Sequence, residues 1–183
     1  MITDEHIANS RRGRQQVRVD HIGHTNTKTN TYLTPIPLLE VVYRCLGRVD
    51  LDPCSNSQTS PQVIADRYYT EHENGLVWPW YGRVFANPPY KTVGNWTKKF
   101  IGEYERGHMQ EGIYLVAAST ETKWYQELLA MDSLVCHLSK RLWFDSDIGV
   151  PCKEQARFGS VLFYVGHRPE RFRAYFVPLG QIR

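Results

Sequence analysis

The chain has 183 residues, 42% of them hydrophobic, enough for one globular core but leaving no room for a second domain of ordinary size. Its net charge of +3 and pI near 8.7 are compatible with a polyanionic partner and too weak to demonstrate one. No run approaches bilayer-spanning length and the first residues lack the apolar core of a signal peptide, so the expectation is a cytoplasmic protein without membrane contact.

Residues 1–30 carry Arg11, Arg12, Arg14, Arg18 and Lys28 among polar residues with almost no apolar periodicity, which predicts a flexible basic arm. The compact part is expected over 31–183. It opens at Thr31-Tyr32-Leu33-Thr34-Pro35 and continues into a helix, because Leu38, Val41, Val42, Cys45 and Leu46 recur at helical spacing. Pro37 suits the first turn of that helix and Gly47 its stop. A strand is expected over Arg48–Asn56, ending at Asp52-Pro53-Cys54. The glycines of a generic cofactor loop are absent after it, with Ser55-Asn56-Ser57 in their place. Asp66 and Asn74 are candidate ligand contacts or plain turn residues, and Trp78 and Trp80 are expected to cover the sheet. Cys45, Cys54, Cys136 and Cys152 show no CxxC spacing, so neither a metal site nor a redox pair is expected.

Val84-Phe85-Ala86 reads as a buried strand. Two prolines follow Asn87, and because proline donates nothing to a ladder and keeps its predecessor extended, pairing must end there. The Asn87 side-chain oxygen and the proline carbonyls then form a cluster of acceptors at a strand tip. An amino group on a flat ring fits between the Asn87 oxygen and the Pro88 carbonyl, with its lone pair turned out of conjugation. Tyr90 offers a face for the ring.

Beyond Tyr90, Val93, Trp96, Thr97, Phe100, Ile101 and Tyr104 share one helical face, with Lys91, Lys98 and Lys99 near its start. A buried strand follows over Gly112–Ala118, tipped by Ser119–Thr122, then a helix from Trp124. Further strands are expected over Val135–Leu138, Arg141–Phe144 and Gly159–Val165. Asp145–Arg157 reads as a mobile loop, and the residues after Gly166 as a basic tail packed by Tyr175-Phe176-Val177.

Asn87-Pro88-Pro89-Tyr90 resembles the motif IV tetrapeptide of S-adenosylmethionine-dependent amino-methyltransferases, which the glutamine-N5 enzymes also carry. Together with Tyr32-Leu33-Thr34-Pro35, Leu51-Asp52-Pro53-Cys54, Asn74-Gly75-Leu76 and Trp80, it resembles the phage-type DNA N6-adenine methyltransferases known as phage Dam, over most of residues 31–166. The resemblance implies an α/β fold: a single Rossmann-like domain, a mostly parallel twisted sheet with helices on both faces, a C-terminal antiparallel hairpin, and no separate target-recognition domain. It implies S-adenosylmethionine as cofactor, no metal, and methyl transfer to adenine N6 of double-stranded DNA with the base flipped out. Asn87, Pro88, Pro89 and Tyr90 would be catalytic. Tyr32, Thr34, Pro35, Asp52, Pro53, Cys54, Asn56 and Asn87 would hold the cofactor, with Asp52 receiving its ammonium group. Lys91, Lys98, Thr122, Lys123, Arg141, Lys153 and Arg157 would contact nucleic acid. The alternatives are methylation of RNA adenine or of a protein glutamine amide, or a nucleic-acid-binding chain that has lost the cofactor. No motif specifies an oligomeric state.

Overall fold

Three apolar runs build the centre of a seven-stranded sheet: β3 (Gly82–Ala86), β4 (Met109–Ala117) and β8 (Ser160–Val165). The computed structural model describes residues 32–147, 150–152 and 155–183, so the basic arm and Lys153 lie outside the described residues. Successive strand side chains point to opposite faces. Here both sets are buried: Val84, Ala86, Tyr114, Val116, Val161 and Phe163 enter one cluster, and Phe85, Ile113, Leu115, Leu162 and Tyr164 the other. A sheet covered on both sides needs strands without polar alternation, and these runs supply them.

β1 (Leu51–Asp52), β2 (Arg67–Tyr68), β5 (Leu134–Leu138) and β9 (Gly180–Ile182) complete the order β2-β1-β3-β4-β8-β5-β9. The first four neighbours are mutually parallel, whereas β8 runs antiparallel to β4 and β5, and β9 antiparallel to β5. This is the expected α/β architecture with its C-terminal antiparallel element.

Helices cover both faces. On one, α1 (Ile36–Leu46) buries Leu38, Leu39, Val42, Cys45 and Leu46, stopping at Gly47 with φ of 82°. It shares that face with α4 (Pro169–Phe176), whose Phe172 stacks on Tyr164 at 5.1 Å and on Phe176 at 4.4 Å between ring centres. On the other face lie α2 (Val93–Glu105) and α3 (Lys123–Leu129), which bury Trp96, Phe100, Tyr125 and Leu128.

Glu111 of β4 is 1% exposed and ties these layers together. The Tyr164 hydroxyl donates to it at 2.6 Å and Arg168 Nε reaches both its oxygens at 3.0 Å, while Arg168 Nη2 donates to the Leu46 carbonyl at 2.9 Å. Burial alone would raise the carboxyl's pKa, but the hydrogen bonds from Arg168 and Tyr164 outweigh it and hold it below the usual range.

Four expectations change. Arg141–Phe144 is not a ladder strand; backbone amides of Cys152 and Ala156 donate to the Phe144 and Leu142 carbonyls, at 2.7 and 3.0 Å, and Phe144 is core. The expected loop Asp145–Arg157 contains a small hairpin of its own, β6 (Asp145–Asp147) with β7 (Val150–Pro151). The tail forms α4 and β9, and of Tyr175-Phe176-Val177 only Phe176 is buried, Tyr175 and Val177 being exposed. Of the two tryptophans, Trp80 is fully buried as expected, whereas Trp78 is 52% exposed and donates its indole N–H to the Glu73 carbonyl.

Candidate active site

β1 and β3 are parallel neighbours, with Leu51 in register with Val84, so Asp52 and Asn87 emerge at the same carboxyl edge of the sheet. Open α/β sheets place ligands at that edge. Pro88 and Pro89 carry the chain away from it. The Pro89 carbonyl accepts from the Thr92 amide at 3.2 Å, opening a tight helical turn, Tyr90–Thr92, that leads into α2.

The Asn87 amide is oriented by its donors. Nδ2 gives hydrogen bonds to the Tyr32 carbonyl at 2.9 Å and to Thr34 Oγ1 at 3.1 Å. Both amide hydrogens are thereby committed to the turn before α1, and Oδ1 is the atom left to accept from a ligand. Asp52 is 3% exposed and its Oδ1 accepts from the Cys54 amide at 3.0 Å. Burial pushes its pKa up to about 7, against the lowering effect of hydrogen bonds from Cys54 and Ser55. Among the described residues no cation is paired with it.

Both residues open on one cavity of about 1410 Å³, lined also by Tyr32, Thr34, Pro53, Cys54, Asn56, Pro88, Pro89, Tyr90 and Lys91. No helix follows β1. The wall from Pro53 to Asp66 is an irregular loop stitched by its own polar groups, with Ser60 N donating to Ser57 Oγ at 3.0 Å and Gln62 N to Asn56 Oδ1 at 2.9 Å. The facing wall turns through Asn74, whose φ is 57°, to Gly75. There a β-carbon would lie 2.1 Å from the Pro53 carbonyl oxygen, so only glycine allows the two walls to meet. The Trp80 indole N–H fixes that turn by donating to the Gly75 carbonyl at 2.7 Å.

Four rings gather beside Asn87. Tyr90 meets Phe158 perpendicularly with centres 4.9 Å apart and Tyr32 at 6.0 Å, and Tyr32 meets Phe144 at 5.3 Å. The Tyr90 hydroxyl is buried without a hydrogen-bond partner, and burial pushes its pKa well up. Phe158 sits in a stretch whose sequence shows only loop signals, and nothing in its spacing marks it. Gln62 was likewise unmarked. It is buried, lines the cavity, and donates from Nε2 to the Thr34 carbonyl at 3.0 Å and to Asp145 Oδ2 at 2.8 Å.

The remaining sequence candidates are dispersed. Pro35 caps α1 and lines, with Arg141, a separate cavity of about 360 Å³. Lys91 is the expected nucleic-acid residue that lines the main cavity; Lys98, Thr122, Lys123, Arg141 and Arg157 are outside its lining. Thr122 Oγ1 donates to the Ser119 carbonyl at 2.7 Å, and Lys123 lies 3.9 Å from Glu127. Asp66 faces solvent with Arg48 3.8 Å away. Among the described residues no cluster of His, Cys, Asp or Glu could hold a metal ion, and no helix is long and apolar enough to cross a membrane.

No curated protein matches the chain significantly. A family model described as DNA N-6-adenine-methyltransferase (Dam) matches residues 24–171, which spans both strand tips and the cavity between them. With most of its length covered by that match, the chain belongs to the Dam family of DNA N-6-adenine-methyltransferases.

Proposed function

We propose that this chain transfers the methyl group of S-adenosylmethionine to N6 of an adenine turned out of duplex DNA. The observation that carries this reading is the Asn87 amide: its hydrogens are held by Tyr32 and Thr34, and its oxygen is left at a strand tip in a cavity shared with Asp52. The cavity suits a cationic cofactor. Asp52, Glu71 and Glu73 are its acidic lining residues against Lys91, and its volume of about 1410 Å³ exceeds that of a typical small-ligand pocket, leaving space for a base beside a nucleoside.

When bound, S-adenosylmethionine supplies a methyl group on a sulfonium, a leaving group that needs no enzymic nucleophile. Asn87 Oδ1 and the Pro88 carbonyl accept the two N6 hydrogens of adenine, which tilts the nitrogen out of conjugation and exposes its lone pair. Tyr90 supports the ring of a base that is out of reach while stacked in the duplex. Asp52 holds the ammonium group, with the Thr34 turn and the loop Pro53–Asn56 around it. The chain's work is alignment and the exclusion of water, which are worth many orders of magnitude when the reacting atoms are held about 3 to 3.5 Å apart. Lys91, Lys98, Thr122, Lys123, Arg141, Lys153 and Arg157, with the basic arm 1–30, supply phosphate contacts that position the duplex without reading its sequence, and selectivity without a dedicated recognition domain comes from base contacts of the arm, the 145–157 loop and the tail or is relaxed.

Incubation of the full chain with methyl-labelled cofactor and duplex DNA, RNA or protein tests the reading directly. Label is expected in DNA as N6-methyladenine; label confined to RNA or to glutamine amides would move the assignment to those acceptors. Tyr90→Phe is expected to keep turnover close to that of the parent protein, since the hydroxyl has no partner to lose. Tyr90→Ala should lower turnover by about 5- to 150-fold, by removing the stacking face worth about 1–3 kcal/mol. Equal loss in both variants would reject a stacking role.

Asp52 predicts a pH dependence of defined sign. Its folded pKa of about 7 lies above the ordinary carboxyl value, so the stability it allows is complete at low pH and lost as pH rises through about 7. Thermal unfolding of the ligand-free protein should therefore show a downward contribution from about pH 4, the ordinary carboxyl range, to about pH 7 that Asp52→Asn abolishes. Affinity for S-adenosylhomocysteine should rise over the same interval in the parent protein and not in the variant.

A further inference from the structure

Gln62 sits in the irregular loop between β1 and β2 and is 3% exposed. Its amide is locked. Nε2 donates to the Thr34 carbonyl at 3.0 Å and to Asp145 Oδ2 at 2.8 Å, and both partners are acceptors. Rotating the amide by half a turn would set oxygen against oxygen, so its orientation follows from its neighbours. Oε1 is the end left over. That atom is buried without any hydrogen-bond partner, in a residue that lines the cavity. Buried acceptors are nearly always satisfied in folded proteins, and an unmatched one at a cavity wall points to a donor on the occupant.

The surroundings narrow that donor. Thr34 joins Gln62 to Asn87, its carbonyl accepting from the one and its hydroxyl from the other at 3.1 Å. Gln62 therefore stands beside the same turn that holds Asn87, at the end of the cavity that carries the Asn87 amide. The Asp145 carboxylate behind Nε2 polarises the amide toward Oε1, which makes that oxygen a stronger acceptor for a positively charged donor. Asp52, buried and paired with no cation among the described residues, opens on the same cavity. A primary ammonium provides a charge and several N–H donors, enough for a carboxylate and an amide oxygen together.

We propose that Gln62 Oε1 accepts a hydrogen bond from the α-ammonium group of the bound cofactor, alongside the Asp52 carboxylate. Gln62 is thus a binding residue for the amino-acid end of the ligand, selecting amine-bearing sulfonium nucleosides over their deaminated relatives. This inference rests on the S-adenosylmethionine reading above.

The test is calorimetric and independent of turnover. S-adenosylhomocysteine and its deaminated analogue, which keeps the carboxylate and the nucleoside, are titrated into the full-length protein and into Gln62→Leu and Gln62→Met. Both variants are expected to bind S-adenosylhomocysteine about 10- to 100-fold more weakly, as for loss of a hydrogen bond to a charged group. Against the deaminated analogue both variants are expected to lose less, because the missing Nε2 bonds to Thr34 and Asp145 weaken the two ligands alike, whereas the Oε1 bond is lost only with S-adenosylhomocysteine. Equal loss for both ligands overturns the proposal, since Gln62 would then serve the nucleoside or merely support Thr34. Unchanged affinity for both overturns it as well. If the parent protein binds neither compound, the cofactor reading itself fails, an outcome distinct from a parent that binds while the variants do not discriminate.

Discussion

Replacing Asn87 by alanine is expected to lower the single-turnover rate of methyl transfer by about 10²–10³-fold at saturating cofactor, the cost of losing one group fixed against the reacting atom. The variant loses more than an acceptor. Its Nδ2 also ties down the Tyr32 carbonyl and Thr34 Oγ1, so the turn before α1 loosens and cofactor-analogue affinity should fall as well, by roughly tenfold for a neutral hydrogen bond or two. Asn87→Asp separates the two effects. It keeps an acceptor oxygen at the strand tip but faces the Tyr32 carbonyl with a second oxygen, so binding should suffer at least as much as in the alanine variant. A turnover within threefold of the parent in Asn87→Ala would remove Asn87 from the chemistry.

The largest effect on stability is expected at Glu111. Glu111→Ala leaves the Arg168 guanidinium and the Tyr164 hydroxyl without their carboxylate, and breaking a buried pair from one side costs about 3–5 kcal/mol. Because the Arg168 side chain is 25% exposed and able to reach water, the lower end of that range applies. Denaturant unfolding should show the midpoint falling at unchanged slope. Removing both partners with Glu111→Met and Arg168→Met should restore much of the loss, since no charge is then left buried. A loss below about 1 kcal/mol for Glu111→Ala would mean that the pair is incidental to how α1 and α4 dock on the sheet.

How far these elements could be read from the chain depends on how local their causes are. The central strands were legible as short continuous apolar runs, and α1 because its side chains repeat at helical spacing and its ends carry proline and glycine. Asn87-Pro88-Pro89-Tyr90 was legible for the same kind of reason, since two prolines end a ladder wherever they stand. α4 was not: only Phe172 and Phe176 anchor it, and their burial depends on α1 and Tyr164, which are remote in sequence. The three-residue β9 exists only because β5 presents an open edge. Gln62 and Phe158 enter the site through contacts to Thr34, Asp145 and Tyr90, and no spacing rule predicts such meetings. The dispersed basic residues mark the reach of sequence reading in the other direction, because a positive side chain near a motif in sequence is a weak guide to whether it lines the cavity, as Lys91 does, or lies outside it.

The wall between β1 and β2 carries a final consequence. Parallel sheets of this kind commonly greet phosphates with a glycine turn and the positive end of a helix. Here that position holds a helix-free stretch of serine, asparagine and glutamine, and the cavity lining adds Asp52, Glu71 and Glu73 to a single lysine, Lys91. Without that cradle, pyrophosphate-bearing dinucleotides and nucleoside triphosphates are expected to gain nothing from their phosphates here, so the same scaffold would hold a nucleoside by its sugar, base and side chain instead.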